Sequence, residues 1–148
     1  MIHIRRFEDK DAADVSSIMI ANTIYNNDSE QTKEALREDS MPERIIEKSR
    51  ERNYYVATIE GEVVGIGGYA GKELKTYFVE PQRQGRGIGK ALIEHSLSEL
   101  QRKGYREVWA SSSEHAQPFY ERFGFATVAK KKIDYFGSKL TLIRMKKE

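Results

Sequence analysis

Two hydrophobic rhythms alternate along the chain, one with a period of two and one with a period between three and four. Ile2 and Ile4 alternate with His3 and Arg5, which predicts a short first strand. Asp9 or Asp11 can cap a helix whose inward positions Val15, Ile18, Met19 and Asn22 recur at three- and four-residue steps, ending near Ile24. Tyr25 to Ser29 is polar and turn-prone. Leu36 stands in a charged segment, and Pro42 suits the first turn of a helix carrying Ile45 and Ile46. Periodicity is weakest between Tyr25 and Arg52. Tyr54 to Glu60 and Val63 to Ala70 read as two strands joined by a tight reversal at Glu60-Gly61-Glu62. Gly65, Gly67 and Gly68 weaken the second strand's propensity, and they serve either a close approach of ligand or backbone, or a bulge.

After a turn at Gly71-Lys72, Leu74 to Val79 is a further strand. The helix that follows runs to about Lys103 and puts Gly89, Leu92, Ile93, Ser96, Leu97 and Leu100 on one side. Lys103-Gly104 closes it with a cation and a glycine cap. Glu107 to Ser111 is again strand-like. Strand, loop, helix and strand make a crossover unit, which sets the two strands parallel or nearly adjacent in one sheet. A short helix begins near His115 with Pro118 in its first turn and Gly124 after its end, and Phe119 and Phe123 face the sheet. The last hairpin runs from Ala126 to Phe136 and from Lys139 to Met145, turning at Gly137-Ser138. No repeat or linker interrupts residues 1–148, so one α/β domain is expected.

Bulk properties narrow the class. A chain of 148 residues can bury roughly 70% of its extended surface. No apolar run approaches the ~20 residues of a membrane span. The first residues enter a strand pattern directly, without a signal peptide's apolar stretch. The cysteine count of 0 removes disulfides, thiolate metal sites and a cysteine nucleophile, and it fits a cytoplasmic protein. A net charge of +2 is too small to imply nucleic acid as a partner. His3, His95 and His115 are too scattered to imply a metal.

The chemistry concentrates in Gln84-Gly85-Arg86-Gly87-Ile88-Gly89. Three glycines at the start of a helix cost stability, so this is a poor way to begin an ordinary surface helix. It makes sense if bare backbone amides and the helix N-terminus together receive an anion, most simply a phosphate. Gly89-Lys90 is followed by Ala91, which lacks the hydroxyl of a magnesium-dependent phosphate loop. The two-residue glycine spacing also departs from the dinucleotide fingerprint.

Gln84, Gly87 and Gly89, read with Val79-Glu80-Pro81 before them, resemble the acyl-coenzyme-A-binding motif of the GCN5-related N-acetyltransferases. Phe119-Tyr120-Glu121-Arg122-Phe123-Gly124-Phe125 resembles the same family's second signature, and the ending Met145-x-Lys147 is also similar. The resemblance covers most of the chain. It implies a mixed, strongly twisted sheet flanked by helices, with the fourth and fifth strands splayed apart and acetyl-coenzyme A in the opening. The pantetheine would pair with the backbone near Phe78 and Val79. The pyrophosphate would sit over the amides of Gln84, Gly85, Arg86, Gly87, Ile88, Gly89 and Lys90.

The implied reaction is attack of a neutral primary amine on the thioester, with a backbone amide near Val79 holding the oxyanion. Tyr120 stands where the family places its thiol proton donor, although a tyrosine could equally pack there beside Phe119. Ser113 stands where an Asn often contacts the pantetheine. Arg122 and Arg83 could meet phosphates or remain solvated. Glu73, Tyr77 and Glu80 are candidate bases, with Glu73 preferred, while His115 reads better as a helix-end residue than as a base. No metal is implied. The acceptor is a small-molecule or protein amine, and the open edge of a splayed sheet offers a surface for a homodimer. The alternative function is a non-catalytic acyl-coenzyme-A-binding sensor or interaction module, which the presence of Tyr120 disfavours.

Overall fold

A computed structural model describes residues 1–24, 30–135 and 138–148. The polar run Tyr25–Ser29, and Phe136 and Gly137 of the final hairpin, lie outside the described residues. The strands are β1 (Ile2–Arg6), β2 (Asn53–Ile59), β3 (Glu62–Ala70), β4 (Glu73–Val79), β5 (Val108–Ser112), β6 (Ala126–Tyr135) and β7 (Ser138–Lys147). Among the described residues they form one sheet in the order β1-β2-β3-β4-β5-β7-β6. Neighbours are antiparallel except β4 and β5, which are parallel and share a single register pair, Glu73 with Trp109. The Trp109 amide closes that vertex on the Lys72 carbonyl at 2.8 Å. Beyond it the two strands part, leaving the outer edge of β4 unpaired.

The helices are α1 (Ala12–Ile24), α2 (Glu30–Asp39), α3 (Pro42–Ser49), α4 (Ile88–Arg102) and α5 (Gln117–Glu121). Period-two alternation sends β-strand side chains into two separate cores. Val15, Ile18 and Met19 of α1 and Ile45 of α3 pack with Tyr54, Val56 and Ile66 on one face. On the other, Ile88, Leu92, Ile93 and Leu100 of α4 meet Tyr55, Ala57, Val64, Leu74 and Ala110. Burying such apolar side chains contributes about 1.5–3 kcal/mol each. Outermost strand β6 carries Lys130, Lys131 and Lys132, charges of the kind that keep an open edge from pairing. A homodimer formed along this edge would bring two such runs together.

Near its centre β4 is bulged. Ile66 pairs with Phe78 and Gly68 with Lys75, so Thr76 and Tyr77 oppose Gly67 alone. Thr76 takes a φ of +64°, an unusual conformation for a β-branched residue. A Cβ on Gly67 would stand 2.5 Å from the Tyr77 ring. The glycine therefore admits a tyrosine rather than a ligand.

Helix α1 is anchored by Asp11. This buried carboxylate accepts two bonds from the Arg5 guanidinium, each 2.8 Å, and one from the Glu8 amide at 2.9 Å. Burial alone would raise its pKa, but the Arg5 fork and the Glu8 amide outweigh it and hold the carboxyl below its ordinary range. Removing one partner of a buried pair costs about 3–5 kcal/mol. Arg5 keeps 29% side-chain exposure. Asp11→Ala should therefore cost about 2–3 kcal/mol in a urea melt. Because the folded pKa is lowered, this stabilisation is complete above the unfolded value of about 3.9 and is lost as pH falls through the folded value. Below about pH 4 wild type should lose stability more steeply than the variant.

Candidate active site

The unpaired edge of β4 leads into a single 3-10 turn, Pro81–Arg83, and then into the glycine run. Gly85 and Gly87 have φ values of +80° and +86°. No atom lies within 4 Å of where a Cβ on either would stand, so the loop presents bare backbone to open space. Gly87 is the N-cap of α4, whose first helical bond runs from the Ala91 amide to the Gly87 carbonyl at 3.0 Å. The amides of Ile88, Gly89 and Lys90 have no intrahelical acceptor and sit at the positive end of a fifteen-residue helix. Gly89 has a different reason to be glycine. Its Cβ would stand 3.1 Å from the Phe119 ring, so it lets α5 pack against α4.

Gln84 turns inward. Its Nε2 donates to Asn22 Oδ1 at 3.2 Å and to the Val79 carbonyl at 3.3 Å. Asn22 Nδ2 donates to the same Val79 carbonyl at 3.0 Å and to the Ile18 carbonyl at 2.9 Å. The glutamine of the motif thus ties the loop to the end of β4 and to α1. The Glu80 amide bonds the Val64 carbonyl at 2.9 Å, and Phe78 pairs with Ile66. By the alternation of an antiparallel ladder, the Val79 N–H and C=O then point away from β3. Its carbonyl is occupied by Asn22 and Gln84. Its N–H lies along the open edge.

Val79, the glycine loop, the start of α4 and α5 enclose a cavity of about 610 Å³. Tyr120 projects into it from α5. Its residue is 7% exposed, and its ring meets Phe119, Phe125 and Tyr77 edge-on at centroid distances of 5.3, 5.7 and 6.4 Å. The hydroxyl has no hydrogen-bond partner among the described residues. Burial pushes its pKa up to about 12, so it stays protonated at neutral pH. The Tyr77 hydroxyl, by contrast, donates to Ser96 Oγ at 2.7 Å. Burial raises its pKa strongly, which removes it as a base.

Of the residues singled out in the sequence, the cavity brings together Phe78, Val79, Gln84, Gly85, Gly87, Ile88, Gly89, Lys90, Tyr120 and Arg122, with His115 and Arg83 at its wall. Arg83 is committed to Glu80 at 3.0 Å and Glu62 at 3.1 Å. Lys90 approaches Glu94 at 3.8 Å, and Arg122 has no ion pair among the described residues. Arg86 is exposed and stands outside the lining. Ser113 also stands outside it, and its Oγ accepts the Ala116 amide at 3.1 Å just before α5.

Glu73 lies at the vertex of the splay rather than in the cavity, bound to Arg144 at 2.6 Å and near Lys75 at 3.5 Å. Burial opposes its ionisation, but Arg144 and Lys75 prevail and hold it below the ordinary carboxylate range. Asn22, which the sequence presents as an inward helix position, is a polar residue of the cavity wall that the motifs do not indicate. A polar side chain in an apolar stripe was the available signal.

A family model described as an acetyltransferase (GNAT) domain matches residues 12–148. The chain belongs to this family. A peptidyl-lysine N-acetyltransferase, YjaB, of Salmonella typhimurium is 25% identical over 150 residues, covering 98% of this chain and 97% of the relative. The fold is similar to that of a GCN5-related N-acetyltransferase from Rhodopseudomonas palustris, with a TM-score of 0.89 at 21% identity over 99% of this chain and 94% of the other. It is also similar to the PaiA N-acetyltransferase of Thermoplasma acidophilum, solved in complex with coenzyme A, with a TM-score of 0.78 at 21% identity over 100% and 99% of the two chains. As a GNAT acetyltransferase the chain is an acyl-coenzyme-A-dependent enzyme. Among the described residues no helix is long and apolar enough to cross a membrane.

Proposed function

We propose that this GNAT protein transfers the acetyl group of acetyl-coenzyme A to a primary amine by direct attack, with Tyr120 as the proton donor to the leaving thiolate. The observation that carries the reading is the hydroxyl of a buried tyrosine, without a partner among the described residues, facing a cavity whose far wall is bare backbone at a helix N-terminus. The cavity fits the cosubstrate's chemistry. Gly85 and Gly87 leave room for a pyrophosphate, the amides of Ile88, Gly89 and Lys90 are free to bind it, and Lys90 and Arg122 add positive charge. Acetyl-coenzyme A supplies an activated thioester, and the chain supplies position and charge.

The open Val79 N–H is suited to hold the oxyanion that develops on the carbonyl, a kind of stabilisation worth about 3–4 kcal/mol per donor. Tyr120 donates its proton as the carbon–sulfur bond breaks. The incoming nitrogen loses a proton to bulk water or to a base, and Glu73 at the vertex is assigned that role acting through water. Its lowered pKa makes it a weak base, and its pairs with Arg144 and Lys75 leave it little field to draw in a cationic amine, so its part is limited to receiving that proton through water. The acceptor is a small-molecule amine or a protein amine such as lysine, the class named for the Salmonella relative.

Thiol release from acetyl-coenzyme A over a broad amine panel tests this, alongside calorimetric titration of coenzyme A. Coenzyme A bound with micromolar affinity and at least one amine acetylated is the expected result. Tight binding with no amine acetylated would favour a non-catalytic acyl-coenzyme-A-binding module.

A further inference from the structure

The face of the sheet covered by α1 and α3 carries a cation without a counterion among the described residues. Arg52, just before β2, directs its guanidinium onto the face where α1 and α3 pack, at the bulge of β4. Its Nη1 donates to the Tyr54 hydroxyl at 3.0 Å and to Thr76 Oγ1 at 3.4 Å, and the two hydroxyls bond each other at 3.0 Å. Both Nη1 hydrogens are thereby committed. The Nε and Nη2 hydrogens have no partner among the described residues. That edge of a guanidinium matches a carboxylate or phosphate through two parallel bonds. The neighbouring arginines differ. Arg44 meets Asp39 and Glu47, and Arg50 meets Asp9.

Lys48, in the last turn of α3, is a second half-buried cation with no ion pair among the described residues. Burial holds its pKa below the ordinary lysine value, with Arg52 and Arg44 acting the same way and Asp39 and Glu47 opposing them. Arg52 has two unpartnered guanidinium nitrogens among the described residues and Lys48 is only partly offset by Asp39 and Glu47, so a bound anion would favour both. Their position gives that anion a purpose. Thr76 lies in β4 beside Tyr77, which lines the cavity from the opposite face, and the parted strands β4 and β5 connect the two faces.

We propose that Arg52 and Lys48 form an oxyanion subsite for the acceptor, so that the preferred substrate is an amine carrying a carboxylate or phosphate ester. With the anionic group at Arg52, the amine is turned toward the gap between β4 and β5. The Thr76 hydroxyl fixes the guanidinium, and the bulge brings Thr76 to it. This inference rests on the acetyltransferase reading for its purpose, but its binding test does not.

The probes are inorganic phosphate and acetate, titrated by calorimetry into protein saturated with coenzyme A so that the glycine cradle is filled. Wild type should bind one of them, and Arg52→Gln and Lys48→Gln should each weaken binding at least tenfold, while Arg102→Gln at the distant end of α4 should not. Arg52→Gln also removes bonds to Tyr54 and Thr76, so Lys48→Gln, which removes none, guards against misfolding as the cause. The stronger probe tells a phosphate-bearing from a carboxylate-bearing acceptor. In the kinetic arm, an amino acid or amino sugar phosphate should have a KM at least tenfold below its neutral amide or dephosphorylated counterpart, and Arg52→Gln should narrow that difference. Binding that Arg52→Gln and Lys48→Gln leave unchanged, or no binding of either probe, means an adventitious ion only and overturns the subsite. Variant-sensitive anion binding without any amine acetylated leaves the subsite standing and overturns the transfer reaction instead.

Discussion

Tyr120→Phe should lower kcat by roughly 10- to 1000-fold, overlapping the usual range for general acid catalysis. The substitution keeps the ring against Phe119, Phe125 and Tyr77 and removes only the hydroxyl. Since that hydroxyl makes no bond among the described residues, its removal leaves no orphaned partner there, and the melting temperature should move by no more than a degree or two. The bond to sulfur strengthens as negative charge develops, so it belongs chiefly to the transition state and KM for acetyl-coenzyme A should change little. With a pKa of about 12, Tyr120 remains protonated across any practical assay. The wild-type pH–rate profile should therefore show no loss of activity from Tyr120 ionisation below about pH 11. Single-turnover measurement is the proper check, because slow product release would mask a chemical defect. A Phe variant that acetylates its acceptor at the wild-type single-turnover rate would make Tyr120 a packing residue and leave the thiolate without its proposed acid.

The backbone of this site is legible in the sequence alone, whereas its side-chain partnerships are not. Strand, glycine loop, helix and strand follow from local signals: a short, mostly apolar extended stretch at Leu74–Val79, three glycines, and a period near 3.6 through Leu100. The parallel pairing of β4 with β5 then follows from chain topology. What local signals cannot supply is which distant residues meet. Asn22 is 57 positions from Val79, yet its amide holds the Val79 carbonyl. Arg52 reads as an ordinary cation before a strand until β3 and β4 bring Thr76 beside it. Glycine identity was equally ambiguous. Gly87 needs a positive φ and open space, whereas Gly89 needs only the absence of a Cβ beneath Phe119. Spacing treats the two alike. Ser113 shows the reverse case, a residue placed by motif whose oxygen is engaged with the Ala116 amide.

The distinction between the glycines shapes the second large effect, the loss of coenzyme A affinity in Gly87→Val. A β-branched residue at φ +86° is strained whatever space surrounds it, at a cost of about 1–3 kcal/mol. Loss of binding in this variant alone could therefore be blamed on a damaged fold. Gly104 supplies the matched control. It lies just beyond the other end of α4, has a φ of +90° and also has nothing within 4 Å of its missing Cβ. Gly104→Val should suffer the same backbone strain, and the two melting temperatures should fall together. Only Gly87→Val puts a branched side chain over the amides of Ile88, Gly89 and Lys90, where the pyrophosphate is proposed to bind. Its Kd for coenzyme A should rise by about 100-fold, as expected when charge-assisted bonds worth about 1.5–3 kcal/mol are lost. The Kd of Gly104→Val should remain within about twofold of wild type, as expected for a site with no shared contacts. Calorimetric titration at a temperature where both variants are folded makes the comparison. If both lose affinity alike, the effect is one of stability, and these amides are not the cradle.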